Sequence, residues 1–280
     1  MTCILARHSR INAIEPHFAS SRIKKNKNDH ADIPFAVQEI DRSVGYCVTI
    51  EHMTEEGIKL YIADHVKLGL QESWREMFDT LPETDRERIG GYRFDADRIR
   101  GTLGAAMIRH FAGEAFPEEE IVIERDEYGK PYLSGHEGFE FSLSHSGDMV
   151  VLAISDKPVG ADVETVKGKD WRMFHRFLSE EEMKMIETAK EPEGRFFEVW
   201  TVREAFSKEE GKGLRILDEA FTVDYDRKEI GYKGKILYFK TISHTARGTG
   251  YKISVCSPLP LNKLFITEVK TCTEYMRMMT

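Results

Sequence analysis

The chain has 280 residues and a formal net charge of −8, from 40 Lys and Arg against 48 Asp and Glu. With 41% hydrophobic and 31% charged residues, it has the composition of a globular protein and not of a disordered or collagen-like chain. The acidic balance argues against non-specific nucleic-acid binding, which needs Lys and Arg to neutralise phosphates, and no apolar run reaches the ~20 residues that span a bilayer.

Residues 1–52 are the least patterned part of the chain. Residues 22–30 are polar and basic, and the neighbouring residues show no sustained hydrophobic periodicity. We predict a poorly ordered polar extension here. A nucleic-acid or membrane arm is the alternative, which the shortness of the basic run disfavours.

Regular structure is predicted from Ile58 onward. Ile58, Leu60 and Ile62 alternate with other residues as in a half-buried strand, and a short helix is predicted around residues 74–78. Asp95 is a candidate N-cap for a longer helix. The inner face of that helix is predicted to consist of Ile99, Leu103, Ala106, Met107 and His110.

The second half of the chain mixes two helices with several strands. Ser179 and Glu182 have the spacing of a capping box, and a helix over residues 194–210 is expected to end at Gly211. Further strands are predicted over residues 121–123, 139–143, 149–154, 159–163, 221–225, 236–242, 251–256 and 264–270. Because strands and helices do not alternate regularly, the order favours an α+β fold over a doubly wound parallel sheet.

Two carboxylates lie in the strand predicted over residues 159–163 and just beyond it. Asp162 and Glu164 are two residues apart, so both side chains point to one face, with Ala161 and Val163 on the other. Carboxylates that face the same way repel each other unless a cation lies between them, and Mg²⁺ prefers such oxygen ligands. The alternative is the solvated face of an edge strand.

A helical segment and a strand end carry the other candidate groups. Trp200, Glu204 and Lys208 recur every four residues and share one helix face; the alternative is a surface Glu–Lys pair beside a core tryptophan. The strand ending at residues 144–147 offers hydroxyls, an imidazole and a glycine that can bind phosphate oxygens. A lone histidine such as His145 is more often a structural residue than a ligand-binding one.

Five motifs in order resemble one family, the surfactin-synthetase-type 4′-phosphopantetheinyl transferases, over residues 58–270. These are Tyr128-Gly129-Lys130-Pro131, Leu143-Ser144-His145-Ser146-Gly147, Val159-Gly160-Ala161-Asp162-Val163-Glu164, Trp200 to Lys208, and Gly211-Lys212-Gly213-Leu214. The resemblance implies transfer of the 4′-phosphopantetheine arm of coenzyme A to a serine of an apo acyl or peptidyl carrier protein, with release of adenosine 3′,5′-bisphosphate.

The resemblance also implies a role for each matching residue. Asp162, Glu164 and Glu204 would bind Mg²⁺, Glu204 would also be the general base, and Lys208 would contact the phosphates. The residues implied in binding coenzyme A are Lys130, Ser144 and His145, together with Arg86, Arg88 and Arg100 for the 3′-phosphate. Arg203 stands where the family usually has lysine, so its role is open.

The family pattern implies two similar lobes with a pseudo-twofold arrangement and coenzyme A in the cleft between them. The expected lobes are residues 53–158 and 159–280, in a monomer that binds neither nucleic acid nor membrane. Residues 171–177, which mix aromatic and basic side chains, are a candidate docking segment for the carrier, although a core helix would also explain the aromatics. The four cysteines lack a CxxC pair, which excludes an obvious zinc site and favours the cytoplasm.

Two other functions remain open at this point. One is a different Mg²⁺-dependent enzyme that cleaves a diphosphate with the same three carboxylates. The other is a carrier-binding protein that no longer transfers, which the presence of all four groups Asp162, Glu164, Glu204 and Lys208 disfavours.

Overall fold

The computed structural model describes residues 57–168 and 170–270, with the side chain of residue 214 left out. The extension predicted for residues 1–52 lies outside the described residues. The helices are α1 (Leu70–Thr80), α2 (Glu83–Gly90), α3 (Asp95–Ala115), α4 (Glu180–Glu187) and α5 (Pro192–Glu210). The first strands are β1 (Ile58–Asp64), β2 (Ile123–Arg125), β3 (Pro131–Leu133), β4 (Glu140–Ser146), β5 (Met149–Ser155) and β6 (Gly160–Thr165). The last are β7 (Thr222–Asp224), β8 (Glu229–Tyr232), β9 (Lys235–Ala246), β10 (Thr249–Ser257) and β11 (Leu264–Val269).

Two main sheets form the framework. The first has the strand order β11-β1-β5-β4 and the second has the order β6-β10-β9-β8-β7, while β2 and β3 form a separate hairpin. One face of each main sheet packs against the other sheet through an apolar core that includes Leu60, Val151, Ala161 and Ile253. The outer face of the first sheet is covered by α1 and α3, and that of the second by α5. The α+β prediction with two lobes is therefore confirmed.

The long helix α3 shows both the strength and the limit of sequence patterns. The five predicted inner-face residues of α3, from Ile99 to His110, are all buried, but so is every residue over 101–108, so the helix is enclosed on more than one face. The predicted cap is wrong, because Phe94 occupies the N-cap position and Asp95 is the first helical residue, with its carboxylate 2.8 Å from Arg98. An acidic residue is favoured in the first turn as well as at the cap, so the sequence alone does not separate the two positions.

The start of α4, two short strands and the lengths of the helices can also be compared with the predictions. The capping box of Ser179 and Glu182 is present at the start of α4. The strands β3 and β8 were not expected from the sequence. None of the described helices is both long and apolar enough to cross a bilayer.

The strand β11 corrects the predicted lobe boundary. Residues 159–280 were expected to form the C-terminal lobe, but β11 lies parallel to β1 in the first sheet, with Ile58 opposite Leu264. The chain thus returns to the first lobe after completing the second. Hydrophobic alternation shows that a segment is a strand, but it does not say which sheet edge that strand joins.

Candidate active site

The two sheets meet edge to edge where β4 lies beside β6; we call this line the seam. Each strand is the outermost one of its sheet. The strands are bridged by three alternate serines of β4, which we call the serine ladder. The ladder consists of hydrogen bonds from the backbone N–H groups of Ala161, Val163 and Thr165 to the hydroxyls of Ser142, Ser144 and Ser146, at 2.9, 3.4 and 3.1 Å. The ladder thereby satisfies backbone donors that an edge strand would leave unpaired.

Asp162 is buried at the centre of the seam. Its Oδ1 atom accepts hydrogen bonds from the Ser144 hydroxyl at 2.8 Å and from Lys208 Nζ at 2.6 Å. Lys208 Nζ also donates to Ser144 Oγ at 2.7 Å, so the three side chains form a closed polar group. The Oδ2 atom of Asp162 is buried without a hydrogen-bond partner. This oxygen therefore remains available to another donor or to a cation.

Glu164 lies on the same face as Asp162, as the period of two predicted. Its Oε2 atom accepts a hydrogen bond from the Ser146 hydroxyl at 3.0 Å. Lys252 stands opposite Glu164 on β10, with its Nζ 2.6 Å from Glu198. Unlike the buried Asp162, Glu164 is half-buried, so its carboxylate borders the surface of the seam.

Gly160 lets α5 lie directly on β6. A methyl group at this position would lie 1.9 Å from the carbonyl oxygen of Ala205 and 2.5 Å from the amide nitrogen of Glu209. Only glycine allows two backbones to come so close. The approach carries Lys208, which lies between these two helix residues, to Asp162.

The predicted helix face of Trp200, Glu204 and Lys208 divides into two environments. Trp200 is only 5% exposed and its ring packs against the rings of Phe174 and Phe196. It is therefore a core tryptophan, as the alternative reading proposed. Glu204 and Lys208 are half-buried, and Lys208 binds the seam carboxylate of Asp162.

Arg100 and His145 lie together at one end of the seam. Arg100 Nη1 donates to the carbonyl oxygen of Gly147 at 2.8 Å, and its Nε atom is buried without a hydrogen-bond partner. Desolvation, and next the positive charges of Arg100 and Lys208, lower the pKa of the His145 imidazole. His145 is nevertheless exposed to solvent. The structure thus brings these two predicted binding residues together.

Lys130 lies at the other end of the seam. Its Nζ donates to the carbonyl oxygen of Glu209 at 2.8 Å, and its side chain lines a cavity of about 640 Å³ with Pro131 and Phe141. The Glu209 carboxyl is buried beside it, and desolvation and the nearby Glu210 raise its pKa to about 7. This buried acid was not expected from the sequence.

Arg86 and Arg88 are engaged elsewhere in the first lobe. Arg86 Nη1 is 3.3 Å from the carbonyl oxygen of Asp79, and Arg88 binds Asp85 and the Tyr92 hydroxyl. Among the described residues, neither arginine is shown bonded to a residue of the seam. Their predicted contact with the 3′-phosphate stays a prediction.

Arg203 has a structural environment that the sequence left open. Its side chain is buried, donates from Nε and Nη2 to Glu182, and lies over the Phe221 ring at 4.8 Å. Glu182 also accepts a hydrogen bond from the Tyr225 hydroxyl at 2.7 Å. Arg203 therefore joins α5 to the capping box of α4, and none of its described partners belongs to the seam.

The predicted Mg²⁺ ligands fit a metal only in part. Among the described residues, no three acidic, His or Cys side chains converge closely enough to form a metal site. Mg²⁺ commonly binds one or two carboxylates and completes its octahedron with waters and substrate phosphates. The unpartnered Oδ2 of Asp162 and the nearby Glu164 suit that mode, while the membership of Glu204 stays a prediction.

Three residues that connect the two lobes were missed in the sequence. The alternation of serines at positions 142, 144 and 146 was visible, but Ser142 and Ser146 were not recognised as bridging residues. Arg247 gave no local signal. It lies in the β9–β10 turn and binds Asp64 at 3.0 Å and Asp148, both of the first lobe.

Comparison with known proteins covers both lobes. Residues 69–157 match the model of the 4′-phosphopantetheinyl transferase N-terminal family, and residues 158–256 match that of the 4′-phosphopantetheinyl transferase superfamily. The chain is 41% identical to the 4′-phosphopantetheinyl transferase psf-1 of Bacillus pumilus, over 47% of this chain and 58% of that protein.

Two longer matches extend the similarity. The 4′-phosphopantetheinyl transferase gsp of Aneurinibacillus migulanus is 33% identical over 58% of this chain and 69% of its own length. The 4′-phosphopantetheinyl transferase Sfp of Bacillus subtilis is 29% identical over 69% of this chain and 88% of its own length. The two family models together span residues 69–256, which include both strands of the seam.

Proposed function

Because the chain belongs to the surfactin-synthetase-type 4′-phosphopantetheinyl transferase family, we propose that it transfers the 4′-phosphopantetheine arm of coenzyme A to a serine of an apo acyl or peptidyl carrier protein. The enzyme would be of the holo-[acyl-carrier-protein] synthase type, with adenosine 3′,5′-bisphosphate as the second product. The observation that carries the proposal is the closed group of Ser144, Asp162 and Lys208 at the seam, where an acid, a hydroxyl and a cation meet.

The proposed reaction breaks the phosphoanhydride bond of coenzyme A and forms a phosphodiester bond to the carrier serine. The carrier serine oxygen attacks the phosphorus that bears the pantetheine arm, and the bond from that phosphorus to the bridging diphosphate oxygen breaks. Glu204 takes the serine proton, directly or through water. Lys208 offsets the negative charge that develops on the leaving adenosine 3′,5′-bisphosphate.

The carboxylates of the seam are the proposed metal ligands. Asp162 and Glu164, with Glu204, would hold Mg²⁺, which when bound neutralises charge on the diphosphate oxygens. Support comes from the unpartnered Oδ2 of Asp162. Lys208 supplies a positive charge beside Asp162.

Coenzyme A is proposed to lie along the seam, in the cleft between the lobes. Lys130 borders one end and Arg100 and His145 the other, and Ser144 lies between them. Arg86 and Arg88 remain weaker candidates because their described contacts are within the first lobe. A positive group at each end suits a ligand with phosphates at two separated positions.

The carrier is proposed to dock on residues 171–177, a short 3₁₀ turn that follows β6. Trp171 is buried, whereas Met173 is 78% exposed and lies between the exposed bases Arg172 and Arg176. An exposed apolar group flanked by bases suits an acidic amphipathic helix. The proposal includes a cytoplasmic monomer that binds no nucleic acid and no membrane.

The experiment is incubation of the purified protein with coenzyme A, Mg²⁺ and several apo carriers, read by intact mass. We expect one carrier or more to gain the mass of one phosphopantetheine. Lys208→Gln should reduce the gain strongly, while Lys67→Gln, at an exposed lysine, should not.

Two results would favour the other functions. Binding of a carrier with no mass change would indicate a carrier-binding protein without transfer. Cleavage of another diphosphate with no carrier modified would indicate a different Mg²⁺-dependent enzyme.

A further inference from the structure

All three serines of the ladder bind the backbone of β6, and two of them, Ser144 and Ser146, also bind a carboxylate. Each hydroxyl accepts a backbone N–H from β6, at positions that keep the same separation of 19 residues along the chain. The two strands therefore run in the same direction and in register. Ser144 and Ser146 also donate to carboxylates, whereas Ser142 has no hydrogen bond to Asp162 or Glu164 among the described contacts.

The second task of Ser146 concerns Glu164. A hydroxyl can accept two hydrogen bonds while donating one. Ser146 Oγ accepts from the Thr165 amide, lies 3.1 Å from the Thr165 hydroxyl, and donates to Glu164 Oε2. The one donor site and both acceptor sites of the hydroxyl are thus used by two consecutive residues of β6, Glu164 and Thr165. The carboxylate of Glu164 is thereby held relative to its own backbone.

The turn after β4 keeps Ser146 in this position. Gly147 has a φ of +55°, and a methyl group there would lie 2.7 Å from the Thr165 hydroxyl oxygen. The turn is therefore packed tightly against β6. The next residue, Asp148, is held by Arg247 from the β9–β10 turn of the other lobe. Ser146 has little freedom to follow Glu164 if the carboxylate turns away.

We infer that Ser146 is a positioning residue that fixes the Glu164 carboxylate for binding of Mg²⁺ together with coenzyme A. The inference rests on the proposed function and concerns a residue to which the family resemblance assigned no role. Ser146 itself touches neither substrate nor metal in this role. Its hydrogen bond restricts the orientations of the Glu164 carboxylate, which lowers the entropy that binding must remove.

The test compares Ser146→Ala with Ser142→Ala. Both variants remove one rung of the ladder, but only the first removes a donor to a carboxylate. Coenzyme A binding is measured by calorimetry at increasing Mg²⁺ concentration, and thermal unfolding is measured beside it. We expect Ser146→Ala to raise the Mg²⁺ concentration for half-maximal coupling by about tenfold, the effect of ~1.4 kcal/mol.

Three controls separate positioning from stability. Ser142→Ala should lower the melting temperature similarly and leave the Mg²⁺ dependence unchanged. Ser146→Thr, which retains the hydroxyl, should restore the wild-type Mg²⁺ dependence. In a Glu164→Gln background, Ser146→Ala should produce no further Mg²⁺ shift, because the residue through which it acts has been changed.

The outcomes distinguish this inference from the proposed function. Equal Mg²⁺ dependence for Ser146→Ala and Ser142→Ala, or an undiminished Mg²⁺ shift in the Glu164→Gln background, would overturn the positioning role. If Ser146→Ala unfolds at the assay temperature, a Ser146→Thr variant with a tenfold weaker Mg²⁺ response would overturn it too. A wild-type protein that binds coenzyme A equally with and without Mg²⁺ would instead count against the proposed metal-dependent function.

Discussion

Gly160→Ala tests whether the close approach of α5 to β6 holds the candidate site together. A methyl group at residue 160 would lie 1.9 Å from the Ala205 carbonyl oxygen, against about 3.4 Å for ordinary contact. The obstructing atoms belong to the backbone, so no side chain can turn aside. The helix or the strand must therefore retreat by about 1.5 Å.

The retreat should affect stability and activity together. Overpacking a core costs ~1–3 kcal/mol, and we expect the upper end, which corresponds to a fall of roughly 6–12 °C in melting temperature for a domain of this size. Lys208 lies one helical turn beyond Ala205, and its 2.6 Å contact with Asp162 would lengthen beyond hydrogen-bond range. A displacement of this size costs about 10²-fold in rate.

The assay measures thermal unfolding and the transfer rate to an apo carrier, at a temperature well below the unfolding transition. Gly113→Ala is the matched control, because that glycine lies within α3 and a methyl group there would meet no atom within 4 Å. The free energy of unfolding of the control should rise by ~0.5–1 kcal/mol, since alanine is the better helix former. A Gly160→Ala variant with the melting temperature and turnover of the wild type would refute the reasoning.

Three further predictions concern buried or catalytic charges. Glu204→Gln should lower turnover at least ~10²-fold with little change in melting temperature; near wild-type turnover would remove Glu204 from its catalytic role. Folding raises the pKa of Glu209 from 4.5 to about 7. Between these two values the folded state retains a proton that the unfolded state releases. The free energy of unfolding should therefore fall as pH rises from 4.5 to about 7. This decline amounts to about 3 kcal/mol, at ~1.4 kcal/mol per pKa unit, and Glu209→Gln should abolish it. Denaturant titrations at pH 5 and pH 8 measure the decline. An unchanged decline in the variant would contradict the assignment to Glu209. Arg203→Leu should lower the free energy of unfolding by ~3–5 kcal/mol, because it leaves the buried Glu182 carboxylate without its cation. The KM for coenzyme A of the remaining folded protein should not change, and a selective rise in that KM would place Arg203 in the substrate site.

Local patterns in the sequence determined much of the site. A period of two placed Asp162 and Glu164 on one face, and the structure confirms that Ala161 and Val163 face the core between the sheets. The residues predicted to face inward on α3 are buried, and Gly211 ends α5 in a left-handed conformation as expected. These features succeed because they depend on neighbours within one or two turns of the same element.

Tertiary structure decided which elements meet, and therefore which of the marked residues share a site. The pairing of β11 with β1 joins residues some 200 positions apart, and no local period records it. The same holds for Arg203, whose charge is directed to Glu182 and not to the seam, and for Arg247, which joins the lobes from a turn. Side-chain hydrogen bonds between distant segments depend on the relative placement of whole sheets, so the serine ladder could be read as a bridge only once β4 and β6 were seen side by side.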